Sequence, residues 1–120
     1  MRYLVLVFSL ALSASALAAS CRCGNGGGEY TPAPCPAVTD NPGIQGDGIE
    51  MWFNSIPAEN VFGLLAAFAR HRICLSSEVG GSVYIKTPGK RPWAEVTRTL
   101  AAQYGYRADI DDTYVYIYKP

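Results

Sequence analysis

Residues 72–96 constrain the fold of this chain more than any other stretch. Ile73 and Leu75 alternate with small or polar neighbours, the period-2 pattern of a short half-buried strand. Gly80-Gly81 reads as a turn, because glycine accepts positive φ without a steric penalty. Val83 and Ile85 alternate again and predict a second strand. Pro88-Gly89 breaks the chain. Pro92 opens a helix at a position where its missing N–H costs nothing. The signature is therefore strand, Gly-Gly turn, strand, short loop and Pro-Trp helix.

The flanking segments complete a domain over residues 49–120. Ile49, Met51 and Phe53 alternate with Glu50, Trp52 and Asn54, as in a strand with one apolar face. Pro57 then starts a helix, with Glu59 in its first turn, where a carboxylate suits the positive end of the dipole. Val61, Leu64, Leu65 and Phe68 recur at i, i+3, i+4 and i+7 and predict the buried stripe. Arg70, His71 and Arg72 close that helix as cations at its negative end. The second helix carries Trp93, Val96, Thr97, Leu100 and Tyr104 on one side, and Gly105 caps it. A short strand follows at 106–108, a turn at Asp111-Asp112, and a last strand at 114–119. The predicted class is α+β, in the order β-α-β-β-α-β-β, with two helices packed on small mixed or antiparallel sheets. About seventy residues is near the minimum for one core.

The N-terminus reads as an export signal. Arg2 precedes an apolar run from Leu4 to Leu12, and small residues follow up to Ser20. A charge, a short apolar core and an A-x-A-like exit together define a secretory signal, assigned to residues 1–18. The apolar run is too short for an ordinary membrane-spanning helix. Two cleavages compete. Ala16-Leu17-Ala18 allows a cut before Ala19. Ala18-Ala19-Ser20-Cys21 resembles a bacterial lipobox, which would make Cys21 a lipid-bearing first residue and anchor the protein to the outer membrane. The usual lipobox has Leu three places before the cysteine, whereas here that position is Ala18.

Residues 19–48 are rich in Gly, Pro and Cys. Glycine favours flexibility and proline extended, unpaired backbone, so this stretch is expected to act as a spacer and not to pack. The chain has 4 cysteines. In an exported protein Cys21, Cys23, Cys35 and Cys74 point to disulfides, and sequence leaves all three pairings open. A metal site from these cysteines and His71 has non-standard spacing for zinc, and an oxidising compartment favours disulfides. No metal or cofactor is therefore expected. The 120-residue chain balances 10 basic against 10 acidic residues, with neither sign in a block. That excludes the basic stripe of a nucleic-acid binder.

The order of these elements resembles the short N-terminal domain shared by secretins and TonB-dependent receptors, the STN family. The residues that carry it are Phe53-Asn54-Ser55-Ile56-Pro57-Ala58, then Ile73 through the Gly80-Gly81 turn to Ile85. Pro92-Trp93-Ala94-Glu95-Val96 and the exit from Leu100 to Tyr106 complete the set. The resemblance covers residues 49–120. It departs where the family places glycine after the first helix, since this chain has Arg70-His71-Arg72. The resemblance does not extend to a secretin ring domain or a receptor barrel, so pore formation and transport are not expected. The resemblance implies a periplasmic docking module, similar in layout to small lipoproteins of type IV secretion systems.

Catalytic groups do not assemble in the sequence. His71, the only histidine, sits at a helix end between arginines and reads as a capping cation before a base. Ser76-Ser77 lack an orienting acid, and Asp109, Asp111 and Asp112 read as turn formers. No enzyme is expected. A binding surface is more legible. Tyr114, Tyr116 and Tyr118 alternate with Val115 and Ile117, Trp52 opposes the Met51 face, and Tyr84 opposes Val83 and Ile85. If exposed, these five aromatics mark a protein interface; otherwise they are cross-strand pairs that stabilise sheets.

The expected function is thus a non-enzymatic periplasmic docking component of a secretin, pilus or type IV secretion assembly. Its partners are envelope proteins, and it oligomerises only within the assembly. Two alternatives belong to other classes. One is a signalling module like the receptor STN domains, which an adjacent regulator would favour. The other is a small disulfide-stapled secreted enzyme or inhibitor, which activity in the medium would favour.

Overall fold

The computed structural model describes residues 20–120; the signal peptide assigned to residues 1–18 lies outside them. The described elements are β1 (Cys21–Gly24), β2 (Thr31–Ala33), β3 (Gly48–Ile49), β4 (Trp52–Pro57), α1 (Ala58–Ala69), β5 (Arg72–Ser76), β6 (Ser82–Lys86), β7 (Arg91–Pro92), α2 (Trp93–Gln103), β8 (Arg107–Ile110) and β9 (Tyr114–Tyr118). The fold is α+β, as the periodicity predicts. A five-stranded sheet has the order β2-β1-β5-β9-β8, and two ribbons pair β3 with β7 and β4 with β6. Among the described strands β5 and β9 alone run parallel, and the other pairs are antiparallel. The turn expected at Gly80-Gly81 lies earlier, at Ser77-Glu78, where Val79 N–H donates to Ser76 O, and Gly81 is a bend at φ 78. The strands on either side do not pair with each other. β5 joins β1 and β9, while β6 joins β4.

The large sheet has two different faces. Ile73, Leu75, Val115, Ile117, Ala108 and Ile110 share one cluster with the buried side of both helices. The register puts Cys23, Cys74, Tyr116 and Asp109 in one row on the opposite face.

Helix α1 buries a different stripe from the one expected. Val61, Phe62, Leu65 and Ala66 are buried, whereas Leu64 and Phe68 are exposed. The helix AENVFGLLAAFA is apolar almost all round. Two stripes at helical spacing therefore coexist, and the large sheet selects the one centred on Phe62. Helix α2 follows expectation more closely, burying Trp93, Val96, Thr97 and Leu100. Buried Thr97 donates to Trp93 O at 2.8 Å, so its hydroxyl is satisfied. Tyr104 is exposed.

Both helices start one residue later than expected, with Pro57 and Pro92 as N-caps. Neighbouring loops accept their first amides: Ala58 N–H donates to Gly81 O, and Trp93 N–H to Asp47 O. Both helices also end alike. Tyr106 N–H reaches Ala101 O and Gly105 N–H reaches Ala102 O, with Gly105 at φ 81. In α1, His71 N–H reaches Ala66 O and Arg70 N–H reaches Ala67 O. Arg70 holds the left-handed position, at φ 60. A side chain there costs about 1–2 kcal/mol, and glycine is its usual occupant. Arg70→Gly should therefore stabilise the protein by about 0.5–1 kcal/mol, net of the greater unfolded-state entropy of glycine. Urea denaturation checks the sign, with Arg70→Ala as the near-neutral control.

The expectation of an unpacked spacer at 19–48 is corrected. β1 is an interior strand of the large sheet, pairing with β2 and β5. Arg22 donates to Ser76 O and Val79 O. Tyr30 OH donates to Glu59 O at 2.6 Å, and burial pushes its phenol up to about 12. Farther on, Arg98 donates to Ile44 O and Asn41 O and pairs with Asp40 at 3.1 Å. Gly46, at φ 78, lies so close to the Trp93 ring that a Cβ would collide with it. The composition bias is real, but these side chains supply contacts that composition does not reveal.

Candidate functional site

The β4–β6 ribbon carries the most exposed aromatics. Its register sets Trp52 opposite Lys86 and Phe53 opposite Ile85. Val83, Ile85 and Ile56 are buried in the core, while Trp52, Tyr84 and Lys86 lie exposed. Lys86 Nζ stands 5.0 Å from the centre of the Trp52 ring. Such a cation–π contact at an exposed site contributes about 0.5–1 kcal/mol.

Beside the ribbon runs an apolar groove of about 520 Å³. Ile49, Trp52 and Phe53 line one side; Leu64, Ala67 and Phe68 of α1 line the other. Trp52 is 64% exposed, and Leu64 and Phe68 are each 44% exposed. Side chains this large and apolar, left in water together, are the usual mark of an interaction surface. Leu64 and Phe68 were assigned by sequence to the core. The second apolar stripe on α1 was the signal that could have found them.

On the far side of the ribbon, a smaller groove of about 260 Å³ lies against α2, lined by residues including Tyr84, Lys86, Arg91 and Glu95. Tyr104 OH accepts from Tyr84 N–H at 2.8 Å there. Arg91 and Glu95 face each other at 4.0 Å, both well exposed.

The five predicted interface aromatics do not form one surface. Trp52 and Tyr84 are exposed on the ribbon, whereas Tyr114, Tyr116 and Tyr118 are half-buried on the outer face of the large sheet. Their cover is the segment that was expected to be a spacer. Ala33 ends the strand at one edge of that sheet, and Asn41 N–H donates to Ile110 O at the other. Five strands at about 4.8 Å spacing separate the edge strands by about 19 Å. Residues 34–40, nearly extended, span about 23 Å. Helices occupy the opposite face, and Ala33, Cys35, Tyr114 and Tyr116 all pack against the cluster of Cys21, Cys23 and Cys74. This strap therefore crosses the tyrosine face. Below it Tyr116 and Tyr118 stack at 4.7 Å, and Tyr118 OH donates to Asp109 at 2.8 Å. Burial first, then the Asp109 carboxylate, pushes both phenols up.

The cysteines pair as Cys21–Cys35 and Cys23–Cys74, with none free. Cys23 and Cys74 are direct cross-strand neighbours, with Cα atoms 4.1 Å apart. Two disulfides belong to an oxidising environment, not to a reducing cytosol. Cys21 Sγ is bonded to Cys35, and a sulfur so bonded cannot carry a lipid thioether. The lipid-anchor alternative is incompatible with this pairing. Intact mass should accordingly show a mature chain without diacylglycerol, and alkylation without reductant should add nothing. A diacylated Cys21 would contradict the pairing.

The remaining polar candidates are structural in their contacts. His71 presents Nδ1 to Ala69 O at 3.0 Å and Nε2 to Asp111 O at 2.9 Å, tying the end of α1 to the β8–β9 turn. Its ring also lies 4.9 Å from that of Trp93. Asp111 accepts from the N–H groups of Thr113 and Tyr114, as a turn former does. Asp109 pairs with Arg107 at 3.4 Å. Among the described residues no group of three or more His, Cys, Asp or Glu side chains is placed to hold a metal ion, and no helix is long and apolar enough to cross a membrane.

Comparison of the chain with protein-family models, curated proteins and solved structures finds no match.

Proposed function

We propose that this protein is a non-enzymatic docking component of a bacterial envelope assembly, exported to the periplasm and gripped there by secretin, pilus or type IV secretion proteins. The groove formed by Trp52, Leu64 and Phe68 carries the proposal. The protein leaves these large apolar side chains in water although the stripe of Val61, Phe62, Leu65 and Ala66 on α1 is fully buried. The export signal and the two disulfides support a periplasmic site of action, and the STN-like order of elements supports docking as the task. The proposal includes no lipid anchor, because Cys21 is used in a disulfide. It also relocates the interface from the strapped tyrosines to the ribbon.

Trp52→Ala combined with Phe68→Ala tests it. Truncating interface anchors typically costs at least about 2 kcal/mol of binding, roughly a 30-fold loss. Cross-linked envelopes should yield correspondingly less of the assembly proteins, while the variant stays folded, its thermal midpoint lowered by no more than roughly 10 °C because both side chains are exposed. Equal recovery from the variant would reject the groove. Recovery of a membrane regulator in place of secretion proteins would favour the signalling alternative, and activity in the medium the stapled enzyme or inhibitor.

A further inference from the structure

Strand edges in this fold are treated unequally. An open edge is a template for another chain, and proteins usually blunt it. The β2 edge strand is only three residues long and contains Pro32, which cannot donate to a ladder. The β8 edge is covered where Asn41 N–H donates to Ile110 O and Ile110 N–H donates to Asp40 Oδ1, both at 2.8 Å. The outer edge of β6 is plugged by Tyr104 OH, which bonds both Tyr84 N–H and Tyr84 O.

The outer edge of β4 has no such device among the described residues. Thr87 N–H donates to Met51 O at 2.9 Å, and Met51 N–H to Thr87 Oγ1 at 3.0 Å. Met51 and Phe53 therefore turn their backbone groups toward β6. Alternation turns those of Trp52 the other way. Residues 49–53 all line the apolar groove. Trp52 and Phe53 are consecutive in β4, and consecutive strand side chains point to opposite faces, so both can line one groove only along the edge. The open edge and the apolar groove are one feature.

We infer that this edge accepts an extended segment of a partner protein, which adds to the β4–β6 ribbon as a third strand. Its backbone pairs with the N–H and C=O of Trp52, and alternate apolar side chains settle between Trp52 and the Leu64–Phe68 row. This deepens the docking function proposed above and rests on it. The charge of the groove suits such a segment: its only charged lining residue is Glu50, balanced by Lys86 over the Trp52 ring. Neither an acidic nor a basic peptide is favoured over an uncharged apolar one. A second copy of this chain does not fit in a symmetric pairing. Each copy offers the same edge recessed beside α1, and two concave edges cannot meet.

The test uses p-benzoylphenylalanine in place of Phe68 in the exported full chain, irradiated in intact cells. Cross-linked peptides should map to one short window of a partner, with apolar residues at alternate positions. Glu50 shares the outward parity of Trp52, so Glu50→Pro removes an outward donor and leaves the β4–β6 ladder intact. It should lower the cross-link yield about tenfold or more, while Glu50→Ala should not. A synthetic peptide of the mapped window should slow exchange of the Trp52 amide at least about tenfold and leave the Tyr84 amide unchanged. Equal yield from Glu50→Pro, or cross-links to a helical face, would overturn strand addition and leave docking at the groove intact. Cross-links to this chain itself would overturn the partner in favour of a second copy. No cross-link from position 68, with strong ones from position 84, would move docking to another surface. Absence from both would end both proposals.

Discussion

Replacing Cys23 and Cys74 together by alanine should destabilise the oxidised protein by about 4 kcal/mol. The bond joins residues 51 apart in sequence, and loop-closure entropy released in the unfolded chain grows with that separation. For a domain of this size the loss lowers the thermal midpoint by roughly 15–30 °C. Removing Cys21–Cys35, with a separation of 14, should cost less, about 3 kcal/mol at most on the same reasoning. Its second effect is local. The strap loses its anchor over the tyrosine face, and the phenols of Tyr116 and Tyr118 should titrate closer to their ordinary range. Calorimetry of the two double variants checks the order, and alkaline ultraviolet titration checks the strap. A non-reducing peptide map showing Cys21 bonded to Cys74 would defeat both expectations.

Phe62→Ala should cost about 3–5 kcal/mol, the range for truncating a buried aromatic side chain. Phe62 is fully buried in the main cluster. Phe68→Ala, six residues along the same helix, should cost well under about 1 kcal/mol, as surface substitutions do. Phe68 is 44% exposed. The pair is informative because the stripe read from sequence places Phe68 in the core and omits Phe62. Urea denaturation of both variants decides which stripe faces the sheet. Comparable losses for the two would show that α1 is rotated from its described position, and the groove would then have no exposed wall.

The groove and the disulfides bear on one another. A module that crosses to an oxidising compartment can hold a thin sheet with covalent bonds, which lets it leave apolar surface uncovered for a partner. The strap is held at its near end by the Cys21–Cys35 disulfide, the covalent staple common in small exported domains. Arg98 gathers Asp40, Asn41 and Ile44, so the strap is fixed at its far end as well.

Period-2 and period-3.6 patterns determined the two helices, the strands at 72–76, 82–86 and 114–118, and the α+β class, because those periods follow from backbone geometry alone. The glycine at the end of α2 was legible for the same reason: few residues accept positive φ. Only tertiary structure decided that β1 enters the sheet, which cysteines pair, which stripe of α1 is buried and which strand edge stays open. Each of these depends on contacts between residues far apart in the chain, such as Cys23 with Cys74 and Arg98 with Asp40. A local pattern can state that a side chain is apolar, but whether water or another side chain meets it is settled by what the rest of the fold brings alongside.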